Sequence, residues 1–319
     1  RDYVIRAFNE DRPYGRFILE QIAGDVLYPE EPKLICAAGF LVAGPWDFIG
    51  HVEVSAEKID GRIARYLDRD DMVTNALQTF TSLTVQCARC HDHKFDPITQ
   101  EDYFSLQAIF AAIGRNDRPY DVDVATARKR FALTSRIEKL SQEKKRLEQT
   151  AAESGQDEEW QKQLRETESA LAAANEQLAA LPKPEKVVFA AATHFRPEGH
   201  HRPSLGKPSP VFVLDRGEID QHGEIARPRA LPLPGALSAE FHLDEQHDEG
   251  ERRAALARWL ADRDHPLTWR SIVNRVWLYH FGRGIVNSPN DFGMMGDLPT
   301  NPALLDWLAV EFRDGGQWI

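Results

Sequence analysis

The sequence predicts a mainly α protein with a small β-rich insert, built as helical lobes plus a protruding antiparallel helical hairpin. Three observations predict it. Apolar residues recur at helical spacing near both ends of the chain, as in Val73, Leu77, Phe80 and Leu83. Two heptad seams flank a break at Ser154-Gly155-Gln156-Asp157. Short β-branched and aromatic runs alternate with Pro- and Gly-rich turns between residues 185 and 248. Four segments follow: a helical domain over 1–120, the hairpin over 121–184, the β-rich segment over 185–248, and the start of a second helical domain over 249–319.

The elements can be justified in order. Val4, Ile5 and Phe8, then Phe17, Ile18 and Ile22, mark two helices separated by Asp11-Arg12-Pro13-Tyr14-Gly15. Cys36, inside Leu34-Ile35-Cys36-Ala37-Ala38, suits a small buried core residue better than a ligand. Residues 71–110 form two helices around the turn Asp92-His93-Lys94-Phe95-Asp96-Pro97. Thr99 and Asp102 make a capping-box pattern that opens the second, whose apolar face is Tyr103, Leu106, Ile109 and Phe110. Leu133, Ile137, Leu140, Lys144, Leu147 and Ala151 are spaced 4-3-4-3-4. Trp160, Leu164, Thr167, Leu171, Ala174, Leu178 and Leu181 continue with 4-3-4-3-4-3. Two such seams across one break predict a hairpin packed on its own stripe, with a further role as a docking stalk for proteins left open. Val187-Val188-Phe189 and Val211-Phe212-Val213-Leu214 read as strands, and His194, His200 and His201 lie in the loop between them, which suits a solvated loop. Toward the end, Leu256, Trp259 and Leu260 form one stripe, and Ile272, Val273, Val276, Trp277 and Tyr279 another. Asn301-Pro302 reads as a cap followed by a first helical position.

Composition narrows the class. The chain has 319 residues, a length suited to about two domains. With 39 basic and 50 acidic residues its charge is −11, which argues against a partner held through phosphate contacts, so no nucleic acid is expected. No run approaches the roughly 18 apolar residues of a membrane span. The chain begins Arg-Asp-Tyr and stops at Trp318-Ile319, so a piece of a longer protein is expected and the lack of a signal peptide is uninformative. Neither a Gly-x-Ser-x-Gly nor a phosphate-loop string occurs. Asp291-Phe292-Gly293 stands without the other strings of a kinase.

The sharpest clue is Cys87-Ala88-Arg89-Cys90-His91, two of the three cysteines in a C-x-x-C-H string. That string reads as a covalent haem attachment site. Two thiols form thioether bonds, and the adjacent imidazole of His91 is the axial iron ligand. His93, Lys94 and Asp96 are candidates for orienting the ring or binding a propionate, or else form a polar turn. For the sixth ligand, His51, Met72, His194, His200, His201, His280 and Met294 are all open. Competing readings are a zinc clip using Cys87, Cys90 and His93, a redox or structural disulfide, and coincidence.

The run from Leu83 through Cys87, His91, Asp92-His93-Lys94-Phe95-Asp96-Pro97-Ile98 to Gln100-Glu101-Asp102-Tyr103 resembles the planctomycete cytochrome-type family of secreted proteins. In that family a cytochrome c module is often followed by two domains of unknown function. The segments Ala7-Phe8-Asn9 and Gln21 to Asp25 resemble the first of these. Asn274-Arg275-Val276-Trp277, His280 to Gly284, Asn290 to Gly293 and Pro302 to Leu308 resemble the second, with Val213 to Glu218 resembling its β-rich lead-in. The resemblance implies a haem site at Cys87, Cys90 and His91, and links the protein to polysaccharide breakdown.

The expectation is therefore a periplasmic or exported c-type haem protein that exchanges electrons with a redox partner protein or a sugar-related substrate. The alternative is a non-redox glycan-binding or scaffold protein whose C-x-x-C-H is a disulfide or zinc clip.

Overall fold

In the computed structural model, residues 1–154, 158–184, 186–235 and 237–315 are described. The chain is 54% helical, with two small two-stranded antiparallel sheets. It forms two compact units: Arg1–Leu27, Leu34–Arg118 and Phe189–Ile319 make one, and Tyr28–Lys33 with Pro119–Val188 the other.

The first unit begins with α1 (Asp2–Asn9) and α2 (Tyr14–Leu27). Ile18 and Ile22 are fully buried, while Ile5 and Phe8 of α1 stay exposed and Tyr3 and Ala7 turn inward instead. A 3-10 stretch over Pro32–Val42 holds Cys36, which is only half-buried, whereas its neighbours Ala37 and Ala38 are fully buried. After the short α3 (Phe48–Val52), α4 (Ile59–Thr81) runs through the core. Met72, Val73, Ala76, Leu77 and Phe80 are all at most 1% exposed. Each large apolar side chain buried to that degree contributes about 1.5–3 kcal/mol. The α4 helix ends where Ser82 adopts a left-handed conformation, φ 55°. Next comes α5 (Gln100–Ile109), opened by the expected box: Thr99 accepts from the Asp102 N–H, and Asp102 accepts from the Thr99 N–H.

β1 (Gly114–Tyr120) pairs with β2 (Lys186–Ala192). β1 has an unpromising strand composition, Gly-Arg-Asn-Asp-Arg-Pro-Tyr, and forms because its arginines are anchored. Arg115 is fully buried. It binds Asp68, Asp71 at 2.9 Å, and the carbonyls of Val42 and Gly44 at 3.2 and 2.8 Å. Arg118 binds Asp25 at 2.6 Å. The second sheet is small. In it β3 (Phe212–Leu214) runs antiparallel to β4 (His222–Ile225), so the β-rich segment contains more turn than strand.

The helices α8 (Glu249–Leu260), α9 (Thr268–Phe281) and α10 (Pro302–Gly315) complete this unit. Asp248 and Glu251 form a second capping box on α8. α8 packs on α2 through a buried ion network. Arg253 binds Glu249 and, at 2.8 Å, Asp25, and also donates to the Ile22 carbonyl at 3.0 Å. Burial works against ionised Asp25, but Arg253 and Arg118 outweigh it and hold the carboxyl well below its usual range. α9 is capped by a buried imidazole: the N–H groups of Leu267 and Thr268 donate to His265 Nδ1 at 3.2 and 3.0 Å. On α10, Asn301 accepts from the Leu304 N–H at 3.1 Å, the cap expected ahead of Pro302. Tyr279 departs from its expected apolar stripe and is 85% exposed. The buried face of α9 is instead Trp269, Val273, Ser271 and Asn274.

The second unit is a helical hairpin of α6 (Val124–Ser154) and α7 (Glu158–Ala179). Lys144 meets Glu168 at 2.6 Å, and Trp160 donates to the Leu147 carbonyl at 2.9 Å. Position therefore rises on one helix as it falls on the other, and the pair is antiparallel. Leu133, Leu147, Thr167 and Ala174, all on the heptad seams, are buried, and so is Ala127, which lies before the first seam. Gly155, Gln156 and Asp157 of the expected break lie outside the described residues, as do the side chain of Ala151 and the end at Trp318-Ile319.

Candidate functional site

The Cys-x-x-Cys-His string lies between α4 and α5, on a single 3-10 turn over Gln86–Arg89. The turn is pinned from below by Val85 and Ala88, both buried. Gln100 on α5 holds its far end, donating to the carbonyls of Arg89 at 3.1 Å and Leu214 at 2.8 Å. Cys87 and Cys90 are free and exposed, and His91 is exposed beside them. His91 Nδ1 lies 2.7 Å from the Asp92 carbonyl oxygen. A carbonyl only accepts, so Nδ1 carries the proton and neutral His91 leaves its Nε2 lone pair available.

Gly217, which follows β3, backs directly onto Cys90. Its φ is 76°, and a Cβ there would lie 2.9 Å from Cys90 Sγ. Glycine is required on both counts.

The rest of the loop is clasped by residues from the end of the chain. Ser82 Oγ bonds Ser271 Oγ at 2.7 Å and the Pro289 carbonyl at 2.8 Å, and the Ser82 carbonyl accepts from the Phe292 N–H at 2.9 Å. Arg275 binds the last carbonyls of α4, at Thr79 and, at 2.8 Å, Gln78. A guanidinium suits that position, where the helix dipole is negative and its last carbonyls are short of donors, although Gln78 also accepts from the Ser82 N–H at 3.2 Å. Asp96, buried, accepts from the Met294 N–H at 2.6 Å. Its own N–H donates to His93 Nδ1 at 2.9 Å. His93 and Asp96 therefore brace the loop, while Lys94 is exposed over the Phe95 ring at 5.0 Å.

A test follows from the clasp. A Cβ at Gly293 would stand 2.5 Å from Asp96 Oδ2. Gly293→Ala should cost about 1–3 kcal/mol by displacing a buried carboxylate from its donor. Chemical denaturation measures it, and a loss below about 0.5 kcal/mol would mean that the clasp is loose.

The structure distributes the sixth-ligand candidates widely. His51 and His201 are buried with rings 5.8 Å apart, edge to face, and Met72 is in the core. His201 corrects the expected solvated loop: its Nε2 sits 3.2 Å from the Arg115 carbonyl, under Trp46 and Phe195. His194, His200 and His280 are exposed. Met294 is 74% exposed and bonded through its N–H to the loop itself. Among the described residues, no group of three or more His, Cys, Asp or Glu is placed to hold a metal ion.

Two free, accessible thiols one turn apart, followed by an imidazole with an open Nε2, are the donor set that thioether attachment and axial ligation of a haem require. Sequence reading missed a stripe on α4, Arg62, Arg65, Tyr66 and Arg69, which faces a cleft beside Cys90. Its helical spacing was visible, but charged stripes of that kind usually face water.

The fold and site define a mainly helical protein whose Cys-x-x-Cys-His loop is built by an N-terminal segment and locked by a C-terminal one. The family comparison divides the chain in the same way. Residues 1–115 match PSCyt2, a protein of unknown function (DUF1549), and residues 252–319 match PSD1, a protein of unknown function (DUF1553). The chain thus carries both of the paired domains of unknown function that are typical of planctomycete cytochrome-associated proteins. No curated protein and no solved structure gives a significant match. Among the described residues, no helix is long and apolar enough to cross a membrane.

Proposed function

We propose that Cys87, Cys90 and His91 hold a covalently attached haem, and that the protein is an exported or periplasmic electron-transfer protein. The observation that carries this reading is the state of the three side chains together: both thiols free and exposed, and His91 fixed through Nδ1 with Nε2 open. A haem held there would supply a one-electron iron couple. The residues of this chain do the rest. Cys87 and Cys90 fix the position of the group, the Asp92 carbonyl sets the His91 tautomer, and the Asp96–Met294 bond keeps the loop from swinging. The oxidising side of the membrane is where thioether attachment takes place, which carries the localisation. A redox partner protein or a sugar-related substrate would exchange the electrons. The sugar link rests on the family resemblance.

The test is a visible spectrum of the chain expressed with haem-c maturation and export, oxidised and reduced, beside a Cys87→Ala/Cys90→Ala variant. We expect a sharp reduced α-band that survives acid-acetone extraction and is lost in the variant. No band, in cells that mature another c-type cytochrome, would overturn the reading and direct attention to thiol content, bound zinc and glycan binding.

A further inference from the structure

The stripe on α4 faces a cleft of about 320 Å³, at the lower end of the size of small-molecule sites. Tyr66, Phe104, Val211 and Phe212 are among the residues that line it. Phe212 is stacked on His222, ring centroids 4.6 Å apart and 6° from parallel. Its floor carries three arginines, and their partners differ. Arg62 is paired with Asp220 at the rim. Arg65 is spent on neutral groups, donating to the carbonyls of Gly61, His51, His200 and Val54. Arg69 makes one long bond, Nε to Gln107 Oε1 at 3.4 Å, and among the described residues no carboxylate lies within ion-pair distance of it.

The acids on the same helix are already engaged. Asp68 and Asp71 bind Arg115, and Asp70 binds Tyr103 and Arg89. Burial pushes the Arg69 guanidinium below its usual range although Asp68 nearby works against it, and Arg65 adds to the lowering. A half-buried arginine held among aromatic rings, with Asp68 near but no carboxylate within ion-pair distance, is incompletely paired in the protein alone. It becomes favourable when a planar oxyanion completes it with two parallel hydrogen bonds.

We propose that this cleft is a binding site for a carboxylate carried on a flat, apolar body, with Arg69 as the group that receives the carboxylate and Tyr66, Phe104 and Phe212 as the walls. Two sources carry that chemistry. One is a free cyclic organic acid. The other is a propionate of a haem attached at Cys90, because Leu214 and Ile219 line the cleft and Gly217, between them, packs against Cys90 Sγ. The proposal does not depend on the haem reading.

The experiment is calorimetric titration of the whole chain with benzoate and with its neutral counterpart benzamide. It is done on the haem-loaded protein and on the Cys87→Ala/Cys90→Ala variant. Saturable benzoate binding with a Kd of about 1 mM or tighter, and benzamide at least tenfold weaker, is the expected result for the variant. Benzoate blocked in the loaded protein assigns the site to a propionate, and equal binding in both assigns it to a free acid. If no haem attaches at all, the titration still reads the cleft. Arg69→Met should lose benzoate at least tenfold while its melting temperature rises by about 2 °C, since a half-buried cation with no carboxylate in ion-pair distance has gone. Arg69→Lys should keep part of the affinity. Benzoate and benzamide binding alike, neither binding at 10 mM (roughly ten times that Kd), or Arg69→Met binding as well as the parent would each overturn the proposal. So would a melting temperature that falls with the loss of binding, which would make Arg69 a structural residue.

Discussion

Replacing Arg253 with Met should destabilise the chain by about 3–5 kcal/mol, the range for removing one partner of a buried pair. Arg253 joins Glu249 on its own helix to Asp25 on α2, and all three side chains are at most 6% exposed. Asp25 keeps Arg118 when Arg253 is lost, but among the described residues Glu249 has no second ion pair, only the more distant charge of Arg252. The damage is therefore concentrated at Glu249, and Arg253→Met with Glu249→Gln should recover part of it, because no buried charge is stranded. Urea denaturation of the two variants and the parent measures both statements. A loss under about 1 kcal/mol for the single variant would show that the carboxylates find water instead.

The second large effect is in acid. Burial pushes the His265 imidazole down to about 3, well below its value in an unfolded chain, about 6.5. Above pH 6.5 neither state is protonated there, and His265 adds no pH dependence. Below it, the unfolded chain takes up a proton that the folded one refuses, so stability falls with pH until the folded value is reached. By pH 5 the loss from this residue should be about 2 kcal/mol. His51 and His201 are lowered by burial and act in the same direction. Asp68 opposes them: burial raises it to about 6 despite Arg115, so the folded state takes its proton first as pH falls from 6 toward 4. The His265 share is isolated by His265→Asn, which retains a polar side chain but does not titrate. The stability gap between parent and variant should narrow by about 2 kcal/mol from pH 7 to pH 5. A constant gap would mean that the imidazole titrates normally in the folded chain.

How far the sequence carried depended on how local the cause was. The Thr99–Asp102 box spans four residues and forms as its pattern says. The heptad seams name Leu133, Leu147, Thr167 and Ala174 of the hairpin's buried positions, because a seam of period 3.5 has few other places to go, but not Ala127, which lies before the first of them. β1 was not legible, since Arg, Asn, Asp and Pro oppose a strand and its partner lies some seventy residues later. Arg115 and Arg253 were equally hidden. Periodicity assigns arginine to water, and the carboxylates that bury these two lie far along the chain. In the site itself, Cys87, Cys90 and His91 were legible as neighbours in sequence. Ser82, Arg275 and Met294 were not, because their clasp exists only between distant segments.

That distance has a consequence for timing. The bonds that close the loop join residues 189 to 210 positions apart. A ribosome adding 5–20 residues per second makes the second half of the clasp about 10–40 s after the first. Through that interval the two thiols ride on an open segment, and after it they sit on a rigid turn. The exposure of Cys87 and Cys90 on a fixed turn thus depends on residues made about 200 positions after them.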